Sequence, residues 1–369
     1  MTARNQLDIL TTAESDNWQN TLAEIGTYDT YHMPSYHKIA EECGEGKAML
    51  LVYRQNDYII AFPMLIRDIK IPRTHALTGL KDTTSAYGYG GPVANREVPA
   101  EVLMKFNAAL HDFYTSNNVV SAFARFHPLL MNSDILFGYG EVAEIGATIS
   151  IDLTPSPDEQ YANYRRAHRR TMEKLWRAGF TVRKASHEEL DEFIYIYYQT
   201  MARNDADDYY YFDKFYFHRL FEEMPGVPQL FFCDDEDVAV SSCIAFQCNG
   251  IVQGHLGGTL NNYLPLAPMK LVLDCVREWG NEIGAHTFHL GGGVGCRRDS
   301  LFEFKRGFSR REHVCHVWRN IVDQDAYDDL CHEAVHATGV HPDDDFFPMY
   351  RHPAFEPSRE LNAEAAAAL

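Results

Sequence analysis

One succession of elements is written twice along this chain, and few architectures accommodate that. In the first half KAMLLVYR (47–54) and YIIAFPMLIR (58–67) read as β-rich runs joined at a short polar turn, Gln55-Asn56-Asp57. The glycine-rich SAYGYGGPV (85–93) follows. A helix is predicted over 98–115, where Val102, Phe106, Leu110 and Phe113 recur at three- and four-residue spacing, and a strand at VVSAFARFH (119–127). In the second half PQLFFCD (228–234), VAVSSCIAFQC (238–248) and IVQGHLGGT (251–259) read as an antiparallel meander turning at Asn249-Gly250. A helix after Pro268 presents Val272, Cys275, Val276 and Trp279 on one face, and the strand AHTFHL (285–290) then runs into HLGGGVG. The repetition predicts an α+β chain of two domains, each a mixed, mostly antiparallel sheet flanked by helices.

Length agrees, because 369 residues exceed what one hydrophobic core usually organises. Pro155 and Pro157 punctuate the middle, and Asp158 and Glu159 suit the first turn of a helix. The expected division is 1–153, 154–325 and a C-terminal extension, 326–369, that wraps the surface. The terminal AEAAAAL is left out of fold reasoning.

Several classes are disfavoured by what the chain lacks. No basic segment followed by an apolar stretch opens it and no run of about 18 apolar residues occurs, so a soluble, cytoplasmic protein with no membrane span is expected. Eight cysteines are scattered singly, without a C-x-x-C pair, and read as reduced thiols. His341 beside Asp343–Asp345 reads as a solvated acidic loop, so no metal and no cofactor are expected. A net charge of −19 repels polyanions and gives no support for DNA binding. Two basic stretches stand against that average, YRRAHRRTMEKLWR (164–177) and CRRDSLFEFKRGFSRRE (296–312), each either a solvated face or a binding patch.

P-loop, H-E-x-x-H and G-x-S-x-G motifs are missing, and G-G-G-V-G is not a dinucleotide fingerprint. What remains is a glycine turn after a strand, with a lysine close behind. Such a place suits acyl transfer, in which backbone amides hold the donor or its oxyanion and a cation meets charge on the leaving oxygen.

At these residues the sequence resembles the Fem family, aminoacyl transferases related to the GNAT superfamily. The likeness rests on DTTSAYGYGGPV (82–93), ARFHPL (124–129), YRRAHRRTMEK (164–174), YYQTMAR (197–203), YLPLAPMKLVL (263–273) and HLGGGVGCRRDSLFEFKRGFS (289–309). It implies two tandem GNAT-like domains, the second carrying the transfer site. It puts the family's aromatic-lysine pair on Phe304 and Lys305, with the lysine stabilising charge at the ester and the ring shaping the pocket. Arg203 and Lys38 fall where the family holds an acceptor phosphate. Arg125 and His127 match either a cleft-facing strand or a structural pair, and Tyr87, Gly291 and Gly292 complete the candidate substrate contacts. The long helical arm of some cross-bridge enzymes has no counterpart in a heptad segment here.

The resemblance implies an aminoacyl-tRNA donor and an amine acceptor, a peptidoglycan precursor or a natural-product intermediate. NNYLPLAPMKL carries no glycine where ordinary GNAT enzymes cradle the pyrophosphate of coenzyme A. Acyl-CoA-dependent N-acyl transfer stays as the alternative reaction, and a non-catalytic binding module as the alternative class.

Overall fold

Alternate residues of the long strands are buried on opposite faces, which explains why those strands read as unbroken apolar runs. A computed structural model of the chain describes residues 7–343 and 345–356. The terminal alanine-rich segment and Asp344 of the acidic loop lie outside them. The strands are β1 (Asp8–Thr11), β2 (Lys47–Gln55), β3 (Tyr58–Lys70), β4 (Leu77–Thr84), β5 (Val93–Ala94), β6 (Val119–Arg125), β7 (Glu141–Asp152), β8 (Thr181–Ala185), β9 (Pro228–Asp235), β10 (Val238–Cys248), β11 (Ile251–Thr259), β12 (Thr287–Gly292) and β13 (Arg311–Ile321). The helices are α1 (Ser15–Ile25), α2 (Pro34–Glu42), α3 (Ala100–Ser116), α4 (Pro157–Ala162), α5 (Arg166–Arg177), α6 (Leu190–Arg203), α7 (Lys214–Glu223), α8 (Met269–Glu282), α9 (Ser300–Lys305) and α10 (Gln324–Thr338).

The described residues divide into two units, one lying within 1–145 and 315–358, the other within 146–314. In the first, hydrogen-bonded strands follow the order β1-β2-β3-β4-β6-β13, with β5 also on β3. All pairs but β4–β6 are antiparallel, and that parallel pair is joined through α3. Leu51 and Tyr53 pack with Phe106, Leu110 and Trp318 on one face, while Leu50 and Val52 meet Trp18 and Leu22 of α1 on the other.

The second unit repeats the plan in the order β7-β12-β11-β10-β9-β8, again with one parallel pair, β11–β12, joined through α8. Its core sets Leu271, Val272, Val276 and Trp279 of α8 against Ile149, Ile151, Phe231, Val252 and Phe288. Two adjacent glycines show which helix covers which face. A Cβ on Gly257 would touch Met269 at the start of α8, and one on Gly258 would lie 2.8 Å from the Ile196 carbonyl of α6.

The divisions differ from those expected at 153/154 and 325/326. The helix start expected at Asp158 and Glu159 is present: Ser156 caps α4, its Oγ accepting from the Glu159 amide, and Pro157 takes the first helical position. The segment after 325 is no surface wrap. Tyr327, Leu330 and Ala334 of α10, with Tyr350 and Phe355, bury against Ile69 and Val120 of the first unit. Buried Asp82 accepts hydrogen bonds from Arg67 at 2.7 Å and from the Tyr350 hydroxyl at 3.2 Å, and pairs with Arg351. Charge in HPDDDFFPMYRHPAF hid those apolar contacts.

Six cysteines, 43, 233, 243, 248, 275 and 331, are free thiols, whereas Cys296 and Cys315 are disulfide-bonded. That corrects the reading of eight thiols; scattered positions in a sequence do not report distances in space. Among the described residues no helix is long and apolar enough to cross a membrane, and no group of three or more His, Cys, Asp or Glu is placed to hold a metal.

Candidate functional site

The parallel register of β11 with β12 extends over three pairs, Ile251↔Thr287 to Gln253↔His289. Beyond it β12 follows β7, with a register shift between His289 and Gly291. Gly291 has φ 75°, a conformation glycine adopts without strain, and it occupies that bulge. At the parting of the strands the buried His289 Nδ1 lies 2.6 Å from Gln253 Oε1.

Lys305 enters here. It ends the short helix α9, and its Nζ donates to the carbonyl of Gly292 at 2.6 Å. The start of the helix is written as an N-cap, Asp299, whose Oδ1 accepts from the Phe302 amide at 2.9 Å and whose Oδ2 accepts from the Val294 amide at 2.8 Å. Loss of solvation drags the Lys305 ammonium down to about 8, against the pull of Asp299 and Cys243. Burial opposes ionisation of Asp299, but the amides of Phe302, Val294 and Leu301, with Lys305, outweigh it and hold that carboxyl below its usual range. A cation of lowered pKa thus stands beside a capping carboxylate.

The glycines serve differently from expectation. Gly291 and Gly292 are buried and registered with Ile149 and Thr148 of β7, so they do not form an exposed cradle, and the Val294 amide is occupied by Asp299. What the turn supplies instead is the Gly292 carbonyl that seats Lys305. It also requires the absence of side chains: a Cβ on Gly293 would lie 2.1 Å from Asp299 Oδ1, and one on Gly292 2.6 Å from the Ala147 carbonyl.

Phe304 packs against the second unit's core, its ring 5.6 Å from that of His168 and 5.7 Å from that of Phe308. Sequence reasoning missed His168. Its Nε2 donates to the Phe304 carbonyl at 2.9 Å, which sets the neutral tautomer. Burial, opposed by that bond and joined by the Lys270 and Arg165 charges, lowers its pKa to about 4. It also fits closely under Gly307, where a Cβ would come within 2.1 Å of Nε2. Asp299 was missed as well, although D-x-x-F at a helix start is a readable cap.

Arg203 ends α6, on the face of the sheet opposite α8. Its guanidinium donates to the Thr259 carbonyl at 2.9 Å and to Asn261 Oδ1 at 2.5 Å, and burial lowers its pKa. Lys305, Phe304, Gly291 and Gly292 therefore meet around one turn, while Arg203 is held at the end of β11.

The remaining candidates lie in the first unit. Buried His127 donates from Nε2 to Asp29 Oδ2 at 2.8 Å and accepts the Leu129 amide at Nδ1, 3.2 Å away. The Arg125 amide donates to Ser85 Oγ at 3.2 Å, beside the loop where Tyr87's carbonyl accepts the Tyr36 hydroxyl at 2.9 Å. Tyr89 packs edge-on to both His127 and Tyr31. Lys38 sits on α2 with Glu42 one turn on, 4.0 Å away.

Residues 99–232 match the FemAB family. Over that span the chain is similar to FemAB-family proteins. No curated protein matches the sequence. Among solved structures, FemX aligns with a TM-score of 0.65 at 14% identity, covering 87% of this chain and 99% of FemX. L-PGS from Bacillus licheniformis aligns at 0.51 and 14% identity, covering 83% of this chain and 91% of that one. The C-terminal domain of a putative lysylphosphatidylglycerol synthetase from Agrobacterium fabrum aligns at 0.50 and 12%, covering 88% and 97%. At such identities the likeness is one of fold, and the chain shares it along most of its length.

Proposed function

We propose that this chain, similar to the FemAB family over residues 99–232, is an acyltransferase that moves an aminoacyl group from the ribose of an aminoacyl-tRNA to an amine. The acceptor nitrogen attacks the ester carbonyl, the bond from carbon to ribose oxygen breaks, and the amine loses a proton as the amide forms. Lys305 meets the charge that develops on the departing oxygen. The observation that carries this role is its seat on the Gly292 carbonyl at 2.6 Å, with an ammonium whose pKa is pulled to about 8. Such a group is mostly protonated at neutral pH and gives its proton more readily than an exposed lysine. Phe304 shapes the apolar wall beside it. Arg203, Lys38, Tyr87, Arg125 and His127 are proposed as acceptor contacts, the last two with Asp29 holding the tyrosine-rich loop.

The start of α8 favours the tRNA donor over coenzyme A. Pro268 has no amide, and those of Lys270 and Leu271 donate to the carbonyls of Ala267 and Pro268. Amides turned inward cannot also cradle a pyrophosphate. The test is label transfer from radiolabelled aminoacyl-tRNAs to a panel of amines. Transfer abolished by RNase and lowered about 100- to 1,000-fold in Lys305→Ala supports the reading. No transfer, with coenzyme A binding by calorimetry, replaces it with acyl-CoA chemistry.

A further inference from the structure

The chain has two basic stretches, and the fold treats them differently. Around α9 most cations are matched: Arg298 and Arg306 pair with Glu312, at 2.7 and 3.0 Å, Arg165 with Glu303 at 3.0 Å, and Arg311 lies 3.3 Å from Asp152, while Arg297 and Arg310 form no ion pair among the described residues. Along α5 they are not. Residues 165–177 hold six cations against one acid, in a chain whose total is −19. Arg166, Arg170 and Lys174 are exposed and, among the described residues, form no ion pair, while Arg177 reaches Glu173 at 3.8 Å.

Helix geometry puts these four on one line. Positions 166, 170, 174 and 177 share a face, opposite the buried His168, Met172 and Leu175, and they extend over about 17 Å. Trp176, 48% exposed, lies on the same side of the helix as Arg169, about 100° round from Arg177, and offers a ring for a base to stack on at the edge of the patch. A duplex carries about one negative charge per 1.7 Å of axis, so the row faces several phosphates at once.

The helix is also fastened to the candidate site. His168 donates to the Phe304 carbonyl, and the Arg165 amide donates to the Gly307 carbonyl at 2.8 Å, one on each side of Lys305 in the sequence. We propose that the exposed face of α5 is the docking surface for the RNA of the donor, Arg166, Arg170, Lys174 and Arg177 taking its phosphates and the bonded first turn setting their distance from Lys305. This rests on the aminoacyl-tRNA reading above. Charge complementarity, a stacking ring and attachment to the Lys305 turn together favour RNA over an anionic lipid surface.

The test is fluorescence anisotropy with a labelled, uncharged transfer RNA across a salt series, for the wild type and for Arg166→Gln/Arg170→Gln/Lys174→Gln. A control, Arg54→Gln/Lys105→Gln, alters exposed cations of the first unit. The α5 variant is expected to bind at least about tenfold more weakly, with a salt slope smaller by about 2 to 3, and the control to match the wild type. A variant that binds like the wild type, or a control that loses as much, overturns the proposal. So does a variant whose only loss is on phosphatidylglycerol vesicles, which would make α5 a lipid surface. If the wild type transfers the label and the α5 variant does so with unchanged RNA affinity, only the docking surface falls; if the wild type neither binds RNA nor transfers from it, the donor reading falls too.

Discussion

Lys305 and Asp299 carry the proposed chemistry at the scale of single residues, and pH separates their roles. If the ammonium is the working form, activity falls as pH rises through about 8, well below the range of an exposed lysine, whereas a working free amine gives the opposite slope. The charge of Asp299 supports that ammonium. Asp299→Asn is therefore expected to move the midpoint of the pH profile lower, read from kcat between pH 6 and 10. Stability carries the reverse sign: between about 8 and 10.5 the unfolded chain holds a proton that native Lys305 has lost, so this group's contribution rises with pH across that window. Gly293→Ala tests space rather than charge. Its φ of −75° is ordinary, but the added Cβ meets Asp299 and displaces the cap, at a cost of about 1 to 3 kcal/mol in chemical denaturation together with a large loss of transfer.

At the scale of elements, α9 and α5 behave as one clamp. Phe304 and Lys305 stand in a helix, set by the Asp299 cap and six helical residues. His168 joins the two helices through a carbonyl and a ring contact rather than a charge. His168→Ala is expected to lower kcat about tenfold or more while leaving KM for the amine little changed, since it acts by positioning Lys305. Its structural share is read separately: the same variant with Gly307→Ala, whose Cβ then has room, should recover stability without recovering kcat.

At the scale of the whole molecule, four histidines are held neutral by burial. His32 and His255 are lowered to about 3, His37 and His168 to about 4. Below the usual histidine pKa of about 6.5 the unfolded chain takes up protons that the native chain refuses. Stability is thus complete above that value and is lost as pH falls toward 4, with an uptake on unfolding of about one to four protons, measurable as the slope of urea-unfolding free energy against pH. A flat profile between pH 7 and 5 would show that these imidazoles are charged in the native state.

The order of elements was readable because periodicity and turn chemistry are local. Strands β2, β3, β9, β10 and β11 and helices α3 and α8 fall where the sequence puts them, and the glycine turn with Phe304 and Lys305 could be named as a site from the residues and the family resemblance. Three things depended on distances no local pattern encodes. The glycines turned out to seat Lys305 by a carbonyl, because β12 leaves β11 after three pairs. Residues 324–356 joined the first core, because their apolar side chains are spaced among charges. One basic stretch proved largely paired and the exposed face of the other unpaired, because ion pairing depends on which acids the fold brings within about 4 Å, and that is a property of tertiary structure alone.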